Sequence, residues 1–209
     1  AVPLAQFWHE RLGEAGGLPD PGGGELLWLH GASVGEVQLA ALLIGALRSR
    51  WPERRIVLSC QTATGRARAQ ALLPDIPVHY APYDLPGAVT RRLAQLRPRA
   101  LVLLETELWP NLLAGTYRQH VPVLIASARL SARSLRAYQA LPGLLRPAMR
   151  GNVWVAAQSA ADAERFALLG VARDRLSVAG NLKFDQPRPS GALERGRGLR
   201  ARLGSRPVW

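Results

Sequence analysis

Seven short apolar runs, at residues 26–30, 55–60, 77–80, 100–105, 121–126, 153–157 and 176–179, alternate with longer stretches of helical character at 36–50, 65–73, 85–96, 109–119, 131–149 and 159–169. Strands that alternate with helices return to the same edge of the molecule and pair in parallel. The runs are apolar throughout instead of alternating with polar residues, as strands covered on both faces are. The expected class is α/β: a parallel sheet with helices on both faces. Ligands of such sheets sit beyond the carboxyl ends of the strands, so the residues that follow each strand are the ones to search.

At 209 residues the chain can bury one sizeable core. The turn-rich stretch 13–25 reads as a linker, which makes Ala1 to Leu12 a short separate helix. After Asp185 comes Gln-Pro-Arg-Pro-Ser-Gly, then a basic helical stretch to Leu203, and Pro207-Val208-Trp209 reads as the opening of another strand. Three segments are therefore expected: an N-terminal helix and linker at 1–25, a main domain at 26–186, and at 187–209 an interdomain linker with the first strand of a truncated second domain. The chain starts at Ala1 and not Met, so an upstream segment, with any membrane anchor it held, is expected to have been removed. No stretch approaches the roughly 18–20 apolar residues of a membrane span, and residues 1–25 lack the basic start and apolar run of a signal peptide.

Cys60 is the only cysteine, which excludes an internal disulfide and a cysteine-based metal site and makes a reducing compartment the default. The formal charge of +12 comes from 26 arginines and a single lysine, Lys183. Such a surface favours a polyanionic partner, whether nucleic acid, an anionic membrane face or a phosphorylated lipid. A GC-rich composition that replaces lysine by arginine would give the same excess.

The first strand runs into His30-Gly31-Ala32-Ser33-Val34-Gly35-Glu36 and then an apolar helix. Two glycines permit a tight turn, and free amides at a helix start suit an anionic group. Glu36 is either a carboxylate favoured by the helix dipole or a general base at the mouth of the sheet. The second strand ends in the hydroxyl-rich Ser59-Cys60-Gln61-Thr62-Ala63-Thr64-Gly65, which caps a helix or holds sugar hydroxyls or phosphate. The fourth ends in Glu105-Thr106-Glu107-Leu108-Trp109-Pro110-Asn111, where carboxylates at i and i+2 of an extended segment would share a face. Arg129, after the fifth strand, suits a phosphate or carboxylate, or pairs with Glu105 or Glu107. The last strand gives Gly180-Asn181-Leu182-Lys183-Phe184-Asp185, and the lone lysine there suggests a site that takes a compact point charge.

Together His30 to Glu36, Tyr83-Asp84-Leu85-Pro86-Gly87-Ala88, Glu105 to Asn111 with Leu112, Ala128 to Ser131, Ala157-Gln158 and Gly180 to Asp185 resemble the 3-deoxy-D-manno-octulosonic acid (Kdo) transferases of lipopolysaccharide assembly, glycosyltransferase family 30. The match runs in order from about residue 26 to 187. The resemblance implies a Rossmann-like domain, the N-terminal, acceptor-binding half of a GT-B enzyme, whose second domain holds the donor. It implies an inverting transfer of Kdo from CMP-Kdo to the lipid A precursor (lipid IVA), with Glu36 as general base and with Glu105 and Lys183 stabilising the transition state. Ser33, Gly35, Thr64, Glu107, Arg129 and Asn181 are the candidate substrate-binding residues. It implies no metal and no cofactor besides the CMP-Kdo donor. It places the protein on the cytoplasmic face of the bacterial inner membrane, peripheral or anchored, where the basic surface meets anionic lipid. Without the donor domain the chain is expected to turn over nothing.

Two rival readings stand beside it. One is another GT-B nucleotide-sugar transferase with a different acceptor. The other is a basic nucleic-acid-binding module, against which the arginines speak: they are spread over several helices with no recognition motif.

Overall fold

The fold was obtained as a computed structural model, which describes residues 3–14, 25–140, 142–186, 191–204 and 206. Seven strands, β1 (Leu26–His30), β2 (Arg55–Cys60), β3 (Val78–Tyr80), β4 (Ala100–Leu104), β5 (Val123–Ala128), β6 (Val153–Ala157) and β7 (Leu176–Val178), form one sheet in the order β3-β2-β1-β4-β5-β6-β7. Every neighbouring pair is parallel. The crossovers contain α2 (Val34–Arg50), α3 (Ala63–Leu72), α4 (Pro86–Leu96), α5 (Pro110–Arg118), α6 (Ala132–Gln139) with α7 (Pro142–Gly151), and α8 (Ala160–Leu168).

Neighbouring residues of a strand point to opposite faces, and here both faces are dry. Trp28 of β1 with Leu101 and Leu103 of β4 packs among Leu93 of α4, Leu113 of α5 and Met149 of α7. Leu29 of β1 with Val102 and Leu104 of β4 packs among Val37 and Ile44 of α2 and Ala69 of α3. Burial on both sides is why these strands read as continuous apolar runs. The strand order reverses between β1 and β4, and the loops leaving their carboxyl ends diverge to opposite faces. A crevice opens at that point, where doubly wound sheets bind their ligands.

Three expectations are corrected. The single helix expected at 131–149 is two, α6 and α7, and the second opens on Pro142, at the first helical position where a missing N–H leaves no bond unmade. The strand expected at 121–126 lies two residues later, at Val123–Ala128. Helix α1 (Leu4–Arg11) is not separate from the fold. Its Glu10 and Arg11 are buried, and Phe7 meets Tyr80 of β3 edge to face with ring centroids 5.0 Å apart. Most of the expected linker, residues 15–24, and the expected final strand at 207–209 lie outside the described residues. Helix α9 (Ala192–Leu203) buries none of its residues. Among the described residues no helix is long and apolar enough to cross a membrane.

Candidate functional site

Glu36 stands in the first turn of α2, at the β1 side of the crevice. Ser33 caps the helix by accepting the Glu36 N–H at 3.4 Å, and its hydroxyl lies 3.0 Å from Glu36 Oε1. Glu36 Oε2 in turn accepts the Ala32 N–H at 2.5 Å. This reciprocal arrangement is a capping box displaced by one residue, and it fixes the carboxylate while leaving it half-buried. Gly31 must lack a side chain, since a Cβ there would come within 3.0 Å of the Glu36 carbonyl carbon. Gly35 is exposed in the same turn. The start of α3 lies alongside: Gln61 N–H donates to the Ala32 carbonyl at 3.1 Å, and Thr62 caps α3 through Gly65 N–H at 3.0 Å. Thr64 is exposed beside Thr62, hydroxyl to hydroxyl at 3.3 Å.

Across the crevice, β4 ends differently from the expectation. Glu105 has φ 58°, in the left-handed region, so the segment is not extended there and the shared-face reasoning fails. The turn instead sends Glu105 to Lys183, with Oε1 and Nζ 2.6 Å apart. Glu107 accepts the Trp109 indole N–H at 2.6 Å. Burial raises the Glu107 pKa, the Trp109 bond opposes the rise, and the charges of Glu36 and Glu105 add to it. The three carboxylates therefore share one electrostatic environment. Arg129 is exposed and pairs with neither Glu105 nor Glu107, the pairing that its sequence position had left open; it meets this loop through its carbonyl, which accepts from the Thr106 hydroxyl.

Lys183 reaches the crevice because the ends of β5, β6 and β7 are stapled together. Gln158 donates to the Ser127 carbonyl at 2.9 Å, and its Oε1 accepts from Asn181 Nδ2 at 3.3 Å. Asn181 Oδ1 accepts the Lys183 N–H at 2.9 Å, which caps the short 3-10 turn Leu182–Asp185. Asn181 thus holds the backbone of Lys183. The ammonium itself stays half exposed.

The role of Asp84 has no signal in local spacing. Helix α5 opens on Trp109-Pro110 and has no cap of its own. Asp84, from the loop before α4, accepts the N–H groups of Asn111 at 3.0 Å and Leu112 at 2.8 Å, while Asn111 Nδ2 donates to the Asp84 carbonyl at 2.6 Å. Two motifs 27 residues apart are one structural unit. Tyr83, Asp84, Leu108, Trp109 and Pro110 line an open hollow of about 270 Å³ beside it. Asp84→Ala is expected to cost about 1–2 kcal/mol, the scale of a lost helix cap. Urea unfolding would measure this, and a loss below about 0.5 kcal/mol would leave α5 capped by something else. Among the described residues no group of three His, Cys, Asp or Glu is placed to hold a metal.

The family model described as 3-deoxy-D-manno-octulosonic-acid transferase (kdotransferase) matches residues 6–186, which takes in most of α1 as well as the sheet. The transferase of that name from Haemophilus influenzae is 34% identical over 97% of this chain and 48% of its own length. The one from Bordetella pertussis is 38% identical over 97% of this chain and 47% of its own length. The chain spans about half the length of these curated relatives. In fold alone it is similar to a UDP-GlcNAc 2-epimerase from Neisseria meningitidis, at a TM-score of 0.54 and 17% identity over 77% of this chain and 48% of that one. The fold is Rossmann-like, of the kind that forms the N-terminal half of a GT-B enzyme. Matched by that family model over residues 6–186 and 34% and 38% identical to these two transferases over 97% of its length, the chain belongs to the Kdo transferases.

Proposed function

We propose that this chain is the acceptor-binding half of an inverting glycosyltransferase that moves Kdo from CMP-Kdo to the lipid A precursor, lipid IVA. The observation that carries the reading is the meeting of Glu36, Glu105, Glu107 and Lys183 at the reversal between β1 and β4, in a chain of this family. Glu36, aimed by the Ala32 N–H and the Ser33 hydroxyl, takes the proton of the acceptor hydroxyl. The freed oxygen attacks the anomeric carbon of Kdo from the face opposite the phosphate, and CMP leaves. Lys183 offsets the negative charge of the sugar carboxylate or the departing phosphate. Glu105, 2.6 Å from that ammonium, holds it in place and faces the positive charge that develops at the anomeric centre.

Ser33, Gly35 and Thr64 border the acceptor side, and Asn181 acts through Lys183. Glu107 and the exposed Arg129 complete the rim, the guanidinium suited to an acceptor phosphate. The transfer uses no metal and no cofactor beyond the donor itself. The +12 chain rests on the anionic cytoplasmic face of the inner membrane and does not bind nucleic acid. The donor is held mainly by a second domain, and without one this half turns over nothing.

The test is Kdo transfer from CMP-Kdo generated in situ to lipid IVA, in a whole-length transferase that carries this chain. Glu36→Ala is expected to lower the rate about 100-fold or more, the scale of a removed general base. Activity that survives the substitution returns Glu36 to capping alone.

A further inference from the structure

His30, the last residue of β1, is 1% exposed at the edge of the crevice, and the transfer proposed above gives it no task. Its ring is held firmly. Nδ1 lies 2.9 Å from Ser59 Oγ, which also accepts the Trp28 indole N–H at 2.8 Å. The Trp109 ring packs edge-on at 5.1 Å between centroids. Nε2 is buried without a hydrogen-bond partner and faces Glu107 Oε2 at 3.9 Å, the oxygen that receives the Trp109 N–H.

The Ser59 hydroxyl has one proton to give. It has two acceptors in reach, His30 Nδ1 at 2.9 Å and the Leu29 carbonyl at 3.4 Å, and the shorter bond is the stronger. Donation to Nδ1 makes that nitrogen the acceptor, so a neutral ring carries its proton on Nε2, towards Glu107. The other tautomer would set a bare nitrogen lone pair against a carboxylate oxygen and leave a buried acceptor unmet.

We propose that His30 is a positioning residue of the transfer site: locked by Ser59 as the Nε2–H tautomer, it donates to Glu107 after a small rotation of that side chain, and so keeps the carboxylate ionised and aimed into the crevice. The role rests on the transferase reading above. Its surroundings favour a neutral donor over a cation. Burial holds the His30 pKa down to about 4, helped by the charge of Arg11 from α1 and opposed by a hydrogen bond to the Ser59 backbone. Around the pair stand Ser59 of β2, His79 of β3, Trp109, Glu36 of α2, Glu105 and Tyr138 of α6. Burial, Glu36 and Glu105 all push the Glu107 pKa up, so a donor that brings no charge of its own opposes them without repelling Lys183 or an approaching cationic group.

Two measurements decide this. The first needs no catalysis: ¹⁵N NMR of the imidazoles in this chain near pH 7, with the His30 signal assigned by its loss in His30→Gln. The expected result is a protonated Nε2 and a bare Nδ1, with the Nε2–H resonance moving in Glu107→Gln. A proton on Nδ1, or a resonance indifferent to Glu107→Gln, overturns the proposal whether or not the chain serves a transferase. The second uses the whole-length enzyme. His30→Gln places an amide N–H near the Nε2 position and is expected to keep kcat within a few-fold, whereas His30→Asn reaches only the Nδ1 position. The Asn variant is expected to lose about 100-fold in kcat, the scale of a misplaced reacting group, with KM little changed and the acid limb of the kcat profile moved to higher pH. Equal activity and an unmoved limb in both variants would reduce His30 to core packing. Absence of transfer in the unsubstituted enzyme would sink the transferase reading and leave the tautomer result standing.

Discussion

Glu10→Ala is expected to cost this chain about 3–5 kcal/mol, the penalty for removing one partner of a buried ion pair. Glu10 is 1% exposed, yet its Oε2 meets Arg66 Nη1 at 2.7 Å and the Tyr80 N–H at 2.6 Å, and its Oε1 accepts from Gln6 at 2.9 Å. Around it lie three buried guanidinium groups: Arg66, Arg11 and the fully enclosed Arg92, which donates to the Glu10 carbonyl at 2.7 Å. Deleting this carboxylate strips the one acidic partner these cations have among the described residues and loosens α1 from β3 and α3. The loss should reach the site, because Arg11 carbonyl accepts the Tyr83 N–H at 2.8 Å and Tyr83 precedes the Asp84 that caps α5. Urea unfolding monitored by tryptophan fluorescence would report it, since Trp8 lies on α1. The companion variant Glu10→Ala with Arg66→Met should recover much of the loss, since it removes the orphaned charge as well. A single variant within about 1 kcal/mol of the parent would mean that α1 is an accessory to the fold.

How much of this was legible beforehand follows from where the information sits. The continuous apolar runs announce buried parallel strands because burial on both faces leaves no polar alternation, and all seven strands lie where those runs are, one of them displaced by two residues. The strand-end rule then drew attention to Glu36, Glu105, Glu107 and Lys183, which the sheet does gather. What local spacing could not carry were partnerships between distant segments. Glu105 was expected to share a face with Glu107 or to pair with Arg129; a left-handed residue at the strand end, invisible to periodicity, sends it to Lys183 78 positions away. Asp84, singled out only as part of the segment Tyr83 to Ala88, caps a helix 27 positions on. Helix α1 looked detached because a glycine-rich linker follows it, although two charged residues at its end, Glu10 and Arg11, are buried. Serine–proton bookkeeping at Ser59 and His30 needs three-dimensional distances and has no sequence signal at all.

Acidification from pH 7 to 4.5 is expected to remove on the order of 5 kcal/mol of stability through two histidines. Burial, then the charge of Arg11, lowers the His30 pKa to about 4, and burial, then Arg92, lowers that of His79 to about 3. In the unfolded chain both titrate near 6.5. Between those limits the unfolded state binds protons that the folded state refuses, so the stabilisation is complete above about 6.5 and drains away as the pH falls towards 4 and 3. Each unit of pH inside the window costs about 1.4 kcal/mol per histidine. That is a large share of the roughly 5–15 kcal/mol that holds a domain together. Glu107 works the other way, since a carboxyl with a raised pKa takes its proton first in the folded state, but it is one half-buried group against two enclosed rings. The check is the urea midpoint at several values from pH 7.5 to 4.5, in the parent and in His30→Gln/His79→Asn. The second substitution keeps a donor for the Tyr80 carbonyl that His79 Nδ1 meets at 2.9 Å. A parent that weakens steeply below pH 6.5 beside a nearly level double variant is the expected pair of curves. Parallel slopes would assign the acid sensitivity to carboxylates instead, and would mean that water or rearrangement lets these two rings take a proton without unfolding the sheet around them.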